Sequence, residues 1–300
     1  MLKKSIIVFA AFITVLTSSS GKASGTVKSG YEYTIIDGEV TVTGYEGEPE
    51  YIDIPEFIEG CPVTEIRDNA FFNCHSLKEA VLPDTVLKIG HHSFYACYEL
   101  ERIKLPSELE EIGMGCFCGC AGLKDITIPE TLDVLTDSCF RACASLEQVK
   151  LPRRLKIIEK YCFAGCDDLK SVDIGEEVAA IGERAFYMCG RMNCAVIPLS
   201  CESIGKQAFG YSCDLDKMPV KTDMMMIGNK NSAAEMYAAE NEIDFAENTE
   251  AAAAFSQVSG IEKKKTVPEW IGYAGVLVFG ILITIVIVAF FNEIRGKKLK

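Results

Sequence analysis

The sequence predicts a repeat solenoid of stacked parallel strands with a cap at each end, followed by one membrane-spanning helix. Three observations support this fold class. Phenylalanine recurs seven times at an unbroken spacing of 23 residues, from Phe71 to Phe209. Each repeat contains a segment in which apolar and polar residues alternate, the period of a strand with one buried face. Near the C-terminus, residues 270–291 form a run of 22 residues without a charged side chain.

The composition fits a folded chain that is acidic overall. Of 300 residues, 49% are hydrophobic and 24% are charged, and 30 basic side chains face 43 acidic ones, for a formal net charge of −13. A protein that binds nucleic acid needs a basic surface to meet the phosphates. We therefore expect no nucleic-acid partner.

Residues 1–23 have the order of a secretory signal peptide. Two lysines precede an apolar stretch from Ile6 to Leu16, and small residues follow it. We expect cleavage near Ala23, within the region that begins at Ser19. The mature chain is then exported.

The apolar run at residues 270–291 predicts a transmembrane helix. At 1.5 Å per residue it would be about 33 Å long, enough for a hydrocarbon core of about 30 Å. Trp270 at one end and the basic tail at residues 292–300 point to a cytoplasmic C-terminus. The sequence thus predicts a single-pass protein of the cell membrane with its N-terminus outside, and residues 247–269 form the linker.

Other residue columns keep the step of 23 residues. An apolar column and a cysteine column are the clearest. The apolar column is Leu77, Leu100, Leu123, Leu146, Leu169, Met192 and Leu215. The cysteine column is Cys74, Cys97, Cys120, Cys143, Cys166 and Cys189.

A single repeat shows how each turn is built. Leu100, Ile103 and Leu105 direct apolar side chains inward from a strand, and Pro106 ends it because proline has no amide hydrogen for the ladder. A second short stretch follows, and then a short helical turn or tight bend whose phenylalanine fills the coil. One turn cannot bury its own apolar face, so stacked turns share a continuous core, with about 4.8 Å between strands.

The repeat, L-x-x-I-x-L-P-x-x-L-x-x-I-G-x-x-A-F-x-x-C-x-x-L, resembles the BspA-type leucine-rich repeat of bacterial surface proteins. The resemblance covers about residues 60–220 and rests on seven copies in phase. It implies a leucine-rich-repeat solenoid over residues 61–219 and a role in adhesion or in binding proteins of a host or neighbouring cell.

The flanking segments predict the two caps. Asp37-Gly38 between alternating segments predicts a β-hairpin, and residues 24–60 resemble the family's N-terminal β cap. Ser232-Ala-Ala-Glu235 is a capping-box pattern that predicts a helix start. With a closing strand at Ile243–Phe245, residues 220–246 are interpreted as the C-terminal cap.

The 14 cysteines and three histidines allow several interpretations. Cys116, Cys139 and Cys162 replace the small Ala or Ser of other repeats, which favours buried free thiols; one or more disulfides and a metal site are the alternatives. Cys118 lies off the core columns. The histidines, His75, His91 and His92, are expected in solvated loops. We expect no metal, no cofactor and no enzymatic activity, because no acid, base and nucleophile converge.

The candidate ligand-binding surface is the set of outward side chains on the strand of each repeat, the strand face. These positions are free of packing demands, and solenoids bind partners with such extended surfaces. The candidate residues are Lys78, Glu79, Glu101, Arg102, Lys104, Lys124, Asp125, Thr127, Glu147, Gln148, Lys150, Lys170, Ser171 and Asp173. Their mixed charges favour a polar partner such as a protein, and the family resemblance implies a protein ligand on a host or neighbouring cell surface. The alternative is a non-adhesive structural or assembly protein of the cell envelope, whose partner is another envelope protein.

Overall fold

The computed structural model describes residues 23–26, 30–213 and 218–248. Within these residues the chain forms a solenoid of short strands joined by tight turns, with a single helix near its C-terminal end. In chain order the elements are β1 (Ala23–Thr26), β2 (Tyr31–Ile36), β3 (Glu39–Tyr45), β4 (Tyr51–Asp53), β5 (Phe57–Ile58), β6 (Cys61–Ile66), β7 (Glu79–Val81), β8 (Lys88–Ile89), β9 (Arg102–Lys104), β10 (Glu111–Ile112), β11 (Asp125–Thr127), β12 (Val134–Leu135), β13 (Gln148–Lys150), β14 (Ile157–Ile158), β15 (Ser171–Asp173), β16 (Ala180–Ile181), β17 (Cys194–Val196), β18 (Ser203–Ile204), β19 (Tyr211–Cys213), β20 (Pro219–Lys221), β21 (Met225–Gly228), α1 (Ala233–Asn241) and β22 (Asp244–Glu247).

The strands of successive turns lie in two ladders on different sides of the coil. Within the paired groups of each ladder the strands are parallel, and from β6 to β18 equivalent residues of successive turns are 23 apart, as in the pair Glu79 and Arg102 and the pair Lys88 and Glu111. The first ladder contains β4, β7, β9, β11, β13, β15, β17, β21 and β22. The second ladder contains β3, β6, β8, β10, β12, β14, β16 and β18. Nine first-ladder strands correspond to about nine stacked turns.

The seven phenylalanines form the predicted stack at the centre of the coil. Their side chains are no more than 1% exposed. Consecutive rings stack with centroids 4.7 to 5.4 Å apart and with interplanar angles of 7° to 14°. Offset stacking at this distance is favourable beyond the burial of area alone. The inward placement predicted from the 23-residue spacing is confirmed.

The turns that carry the phenylalanines are joined by a third set of hydrogen bonds. In the turn of Phe140, the amides of Ser138, Phe140 and Ala142 donate to carbonyl oxygens one turn ahead at 2.7 to 3.0 Å. Ser138 and Ala142 have left-handed φ angles of 57° and 59°. Such a conformation costs a non-glycine residue about 1–2 kcal/mol. We infer that it recurs along the stack because it aims three amides of each turn at the next.

The N-terminal hairpin forms where the sequence predicts it. β2 and β3 pair antiparallel around Asp37 and Gly38, which have φ angles of 52° and 82°. Positive φ at both central residues is typical of the type I′ hairpin turn. β3 then pairs with β6, and β4 with β7, so this region supplies the outermost strand of each ladder.

The helix α1 begins at the predicted place but without the predicted capping box. Ser232 is the N-cap, yet its hydroxyl makes no cap hydrogen bond and donates to the Asn229 carbonyl at 2.6 Å. The Glu235 carboxylate accepts from the Asn231 amide at 2.6 Å, one residue before the N-cap. Both side chains therefore form hydrogen bonds with the turn that precedes the helix and not with the first amides of the helix. The closing strand β22 pairs parallel with β21, as expected from Ile243–Phe245.

The last repeat departs from the period of 23. β17 pairs with β21 in a register that joins Cys194 to Met225, a separation of 31 residues. The additional residues form the antiparallel hairpin of β19 and β20. This register puts Asp223, not Leu215, two residues before the strand; Leu215 itself lies outside the described residues.

The predicted transmembrane helix and all but the last residue of the predicted signal peptide lie outside the described residues. Residues 1–22 and 249–300 lie outside the described residues, and Ala23 begins β1. Among the residues that are described, no helix has the length and apolar character needed to cross a membrane.

We expect Phe140→Ala to lower the free energy of unfolding by about 3–5 kcal/mol, because it leaves a cavity between two stacked rings. Urea unfolding followed by circular dichroism measures the effect. The matched control is Phe72→Ala. Phe72 directly follows the core residue Phe71 and its side chain is 43% exposed, so this change should lower the free energy of unfolding by only about 1 kcal/mol. Equal costs for the two variants would contradict the inward placement of the phenylalanine column.

Candidate binding surface

The structure places all fourteen residues of the strand face at the surface. Ten are exposed and four, Glu79, Glu101, Ser171 and Asp173, are half-buried. They lie on or directly before β7, β9, β11, β13 and β15, where alternate side chains of each strand point outward. The parallel register aligns them into three columns that run along the solenoid.

The first column alternates in sign along the stack. Its members are Lys78, Glu101, Lys124, Glu147 and Lys170. The Lys124 ammonium lies 3.5 Å from the Glu101 carboxylate, and the Lys170 ammonium lies 3.1 Å from that of Glu147. Lys78 completes the pattern by pairing at 2.9 Å with Glu50, a residue of the N-terminal region. All five charges of this column are therefore paired within the chain.

The second column contains Glu79, Arg102, Asp125, Gln148 and Ser171. Its closest contact is a hydrogen-bonded ion pair of 2.8 Å between the Arg102 guanidinium and the Glu79 carboxylate. The Glu79 carboxylate raises the pKa of Arg102, and the Glu50 carboxylate raises that of Lys78 in the same way. Both pairs are solvent-exposed, so they orient side chains more than they stabilise the fold.

The third column contains two lysines that take part in no ion pair between described residues. It consists of Val81, Lys104, Thr127, Lys150 and Asp173. Lys104 and Lys150 are exposed and appear in none of the salt bridges between described residues. Lys104 lines a shallow groove of about 260 Å³, to which the half-buried Val81 and Ile103 contribute apolar surface. The strand face thus combines a shallow apolar groove with two lysines that have no ion-pair partner in the described part of the chain.

The cysteine column lies inside the coil and has a structural role. Each thiol of the column, from Cys97 onward, donates to the carbonyl oxygen of the phenylalanine 26 residues earlier, at 3.2 to 3.3 Å. Cysteine is small and apolar, yet carries a weak donor, so it fits this position. All fourteen cysteines are described, and the structure has them unpaired.

Burial raises the pKa of these thiols because a thiolate would lose its solvation in the core. The pKa of Cys139 rises to about 12, and that of Cys143 is raised well above 9.0. Cys118, at the surface, is half-buried; burial raises its pKa, while the charge of Arg141 lowers it. Buried thiols of this kind are poor nucleophiles.

The histidines lie on the turns, as expected, and take part in contacts between turns. The His91 ring nitrogen Nδ1 accepts from the Met114 amide at 2.8 Å, and the His91 amide donates to the Asp68 carboxylate at 2.7 Å. His75 stacks on Tyr98 with ring centroids 4.9 Å apart. Over the described ranges, no three His, Cys, Asp or Glu side chains come together as a set of metal ligands.

A groove on the side of the second ladder was not predicted from the sequence. It has a volume of about 600 Å³, and Met114, Ile157 and Ala180 contribute apolar surface to it. The signal was present in the sequence. The outward column of the second ladder is polar at both ends and apolar in the middle: Lys88, Glu111, Val134, Ile157, Ala180 and Ser203.

The stacked 23-residue turns and their outward strand columns define a solenoid repeat protein. The chain belongs to the BspA-type leucine-rich repeat family, since the family model described as a BspA type leucine rich repeat region matches residues 64–193 and 134–259, with six copies. These matches cover more than half of the chain. The predicted resemblance is confirmed.

Solved structures of leucine-rich repeat proteins from bacteria are similar to this chain. A T. pallidum leucine rich repeat protein is 28% identical, over 56% of this chain and 90% of that chain, with a TM-score of 0.48. A leucine rich cell surface protein from Faecalibacterium prausnitzii is 27% identical, over 69% of this chain and 62% of that chain, with a TM-score of 0.45. One from Bacteroides capillosus is 32% identical, over 42% of this chain and 96% of that chain, with a TM-score of 0.38. No curated protein matches the chain significantly.

We expect the stability of the protein to fall steeply above about pH 9. The thiols of the unfolded chain ionise near 9.0, whereas the buried thiols have raised pKa values and stay protonated. Stability is therefore full below pH 9, and each such thiol removes up to about 1.4 kcal/mol per pH unit above it. Urea midpoints from pH 7 to pH 10 measure the slope. A double variant, Cys143→Ala with Cys166→Ala, should show a smaller slope; an identical slope would contradict the assignment.

Proposed function

We propose that this protein is a membrane-anchored, extracellular leucine-rich-repeat protein of a bacterial cell surface that binds a protein partner through its strand face. Membership of the BspA-type family supports the class. The signal-peptide pattern at residues 1–23 and the uncharged run at residues 270–291 support export and anchoring. The proposal assigns a binding role and no catalysis.

The observation that carries the proposal is the third column of the strand face. Lys104 and Lys150 present two ammonium groups that form no salt bridge with any residue the structure describes, on a chain whose formal net charge is −13. Neither side chain is needed for packing, because both are exposed. The half-buried Val81 and Ile103 in the neighbouring groove offer apolar surface to a partner. We infer a partner that places acidic side chains against the column and an apolar side chain in the groove.

A second candidate function is that of a structural or assembly protein of the cell envelope. The first column of the strand face favours it, because Lys124 pairs with Glu101 and Lys170 pairs with Glu147 within the chain. A face whose charges neutralise one another stays soluble without a ligand. Under this reading the solenoid is a spacer, or it contacts another envelope protein.

We expect the triple variant Lys104→Glu, Lys124→Glu and Lys150→Glu to weaken partner binding about 100-fold, at about 1 kcal/mol for each reversed charge. The full chain in detergent first captures proteins from envelope extracts and from host-matrix extracts. The affinity of each captured protein is then measured for the original chain and the variant.

The matched control reverses the same number of charges elsewhere. Lys156, Lys160 and Lys206 are exposed and lie on or near the second ladder. Their change to Glu should leave the affinity within about twofold if the strand face is the binding surface. Equal losses in the two triple variants would show a nonspecific charge effect and would contradict the proposal. A partner found only in the envelope extract would favour the assembly role.

We expect removal of residues 270–300 to shift the protein from the membrane fraction to the culture medium, because the proposed anchor is lost. Fractionation and immunoblotting of the producing cells measure the distribution. The control removes residues 292–300 only, which leaves the apolar run intact and should keep the protein in the membrane fraction. A truncated chain that stays with the membrane would contradict anchoring through residues 270–291.

A further inference from the structure

The outer surface of the phenylalanine turns carries stacked aromatic rings that the sequence analysis left without a role. We call the residues that directly follow the core phenylalanines the outer file: Phe72, Tyr95, Cys118, Arg141, Ala164, Tyr187 and Gly210. Phe72 and Tyr95 stack with ring centroids 5.0 Å apart and an interplanar angle of 7°. A parallel pair, His75 and Tyr98, stacks beside them at 4.9 Å.

The third turn interrupts both rows of rings. Cys118 follows Tyr95 in the outer file, and Ala121 takes the place that His75 and Tyr98 hold in the earlier turns. The core rings of Phe94, Phe117 and Phe140 repeat from turn to turn with centroids 5.4 Å apart. Tyr95 and Arg141 are two turns apart in the outer file, about 10 Å along the stack at about 4.8 Å for each turn, and offset-stacked rings prefer centroid distances of 4.5–7 Å. The small Cys118 therefore leaves a gap in the file where a ring of the third turn would stand.

Glycines in the third turn let neighbouring rings line this gap. A Cβ atom at Gly115 would come within 2.6 Å of the His92 ring, which itself stands edge-on to Tyr95 at 5.6 Å. A Cβ atom at Gly119 would lie 3.7 Å from the Tyr98 ring. His92 and Tyr98 thus approach the backbone on either side of the half-buried Cys118. We call this gap, with Tyr95, His92, Tyr98 and Arg141 around Cys118, the aromatic slot.

Arg141 supplies a cation on the far side of the aromatic slot. Its side chain is exposed, and the salt bridges of the described residues do not include it. The guanidinium lies over the Tyr161 ring, 5.6 Å from the centroid. Tyr161 is fixed in turn, because its hydroxyl accepts from the Arg184 guanidinium at 3.1 Å. The effect of Arg141 on the pKa of Cys118 agrees with a guanidinium close to the floor of the slot.

The two walls select an occupant with two π faces. Tyr95 offers an aromatic face, and a guanidinium also stacks well on aromatic rings, best on electron-rich ones. A nucleobase would bring phosphates toward a chain with a formal net charge of −13. The geometry points to the aromatic slot as a docking site for one tryptophan or tyrosine side chain of a protein partner, inserted between Tyr95 and Arg141. This site is separate from the strand face and does not rest on the function proposed above.

The test measures binding of N-acetyl-tryptophanamide to the full chain in detergent by saturation-transfer NMR, with N-acetyl-leucinamide as the reference ligand. We expect saturable binding of the tryptophan amide in the millimolar range and at least tenfold weaker binding of the leucine amide. Cys118→Phe should continue the file of rings, fill the slot and weaken binding at least tenfold. Arg141→Gln should weaken it about fivefold. The matched control, Tyr187→Ala, changes the same file outside the slot and should leave binding unchanged.

Several results would overturn the proposal. One is binding of the tryptophan amide that persists in both the Cys118→Phe and the Tyr95→Ala variants. The others are binding of the leucine amide as tight as that of the tryptophan amide, and the absence of saturable binding of the tryptophan amide. If Cys118→Phe does not fold, Tyr95→Ala and Arg141→Gln decide the outcome, because both replace exposed or half-buried side chains. Adenosine monophosphate and methyl β-glucopyranoside are titrated in parallel. If either compound binds more tightly than the tryptophan amide, the occupant of the slot is a nucleotide or a glycan, and the proposal is wrong.

Discussion

The structure depends on one constraint: each turn must advance the chain by the same step as its neighbours. The phenylalanine rings stack only if successive turns have the same length and shape, and centroid distances of 4.7 to 5.4 Å show that they do. The same step brings the amides of each turn to the carbonyls of the next. It also aligns the two strand ladders in register. A ring out of step would therefore disturb three sets of interactions at once, and for that reason the period is strict where the core is deepest.

The cysteine column shows how the sequence meets this constraint inside the coil. A residue at that position must be small enough for the packed interior, and the nearby phenylalanine carbonyl needs a donor. The thiol satisfies both requirements, as Cys143 does for Phe117 and Cys166 for Phe140. Unpaired cysteines are unusual in exported proteins, the class proposed for this chain, but here the thiols act as hydrogen-bond donors within the core. The left-handed residues on either side of each phenylalanine serve the same end, because they direct backbone amides along the stack.

Features that repeat could be predicted from the sequence, and features that occur once could not. The phenylalanine stack, the strands before each proline and the hairpin at Asp37 follow from periodicity or from local turn chemistry. The 31-residue step between Cys194 and Met225 was missed because the hairpin of β19 and β20 replaces part of a regular turn. The prediction of a capping box was wrong because Ser232 and Glu235 form hydrogen bonds with the preceding turn. For the surface, spacing predicted which side chains point outward. It could not show that Lys124 is paired while Lys104 is not, nor that the small Cys118 leaves room between Tyr95 and Arg141.

The regular core leaves the outer side chains free to vary, and this freedom is what the proposed binding role requires. The central claim is that 23 residues make one interchangeable turn. Removal of residues 141–163 tests it most directly, because Phe140 then takes the place of Phe163 and the stack loses one complete turn. The account predicts that this chain still unfolds in a single cooperative thermal transition, at a somewhat lower temperature, whereas removal of residues 141–162 puts the turns out of step and abolishes cooperativity. Equal behaviour of the two shortened chains would contradict the account.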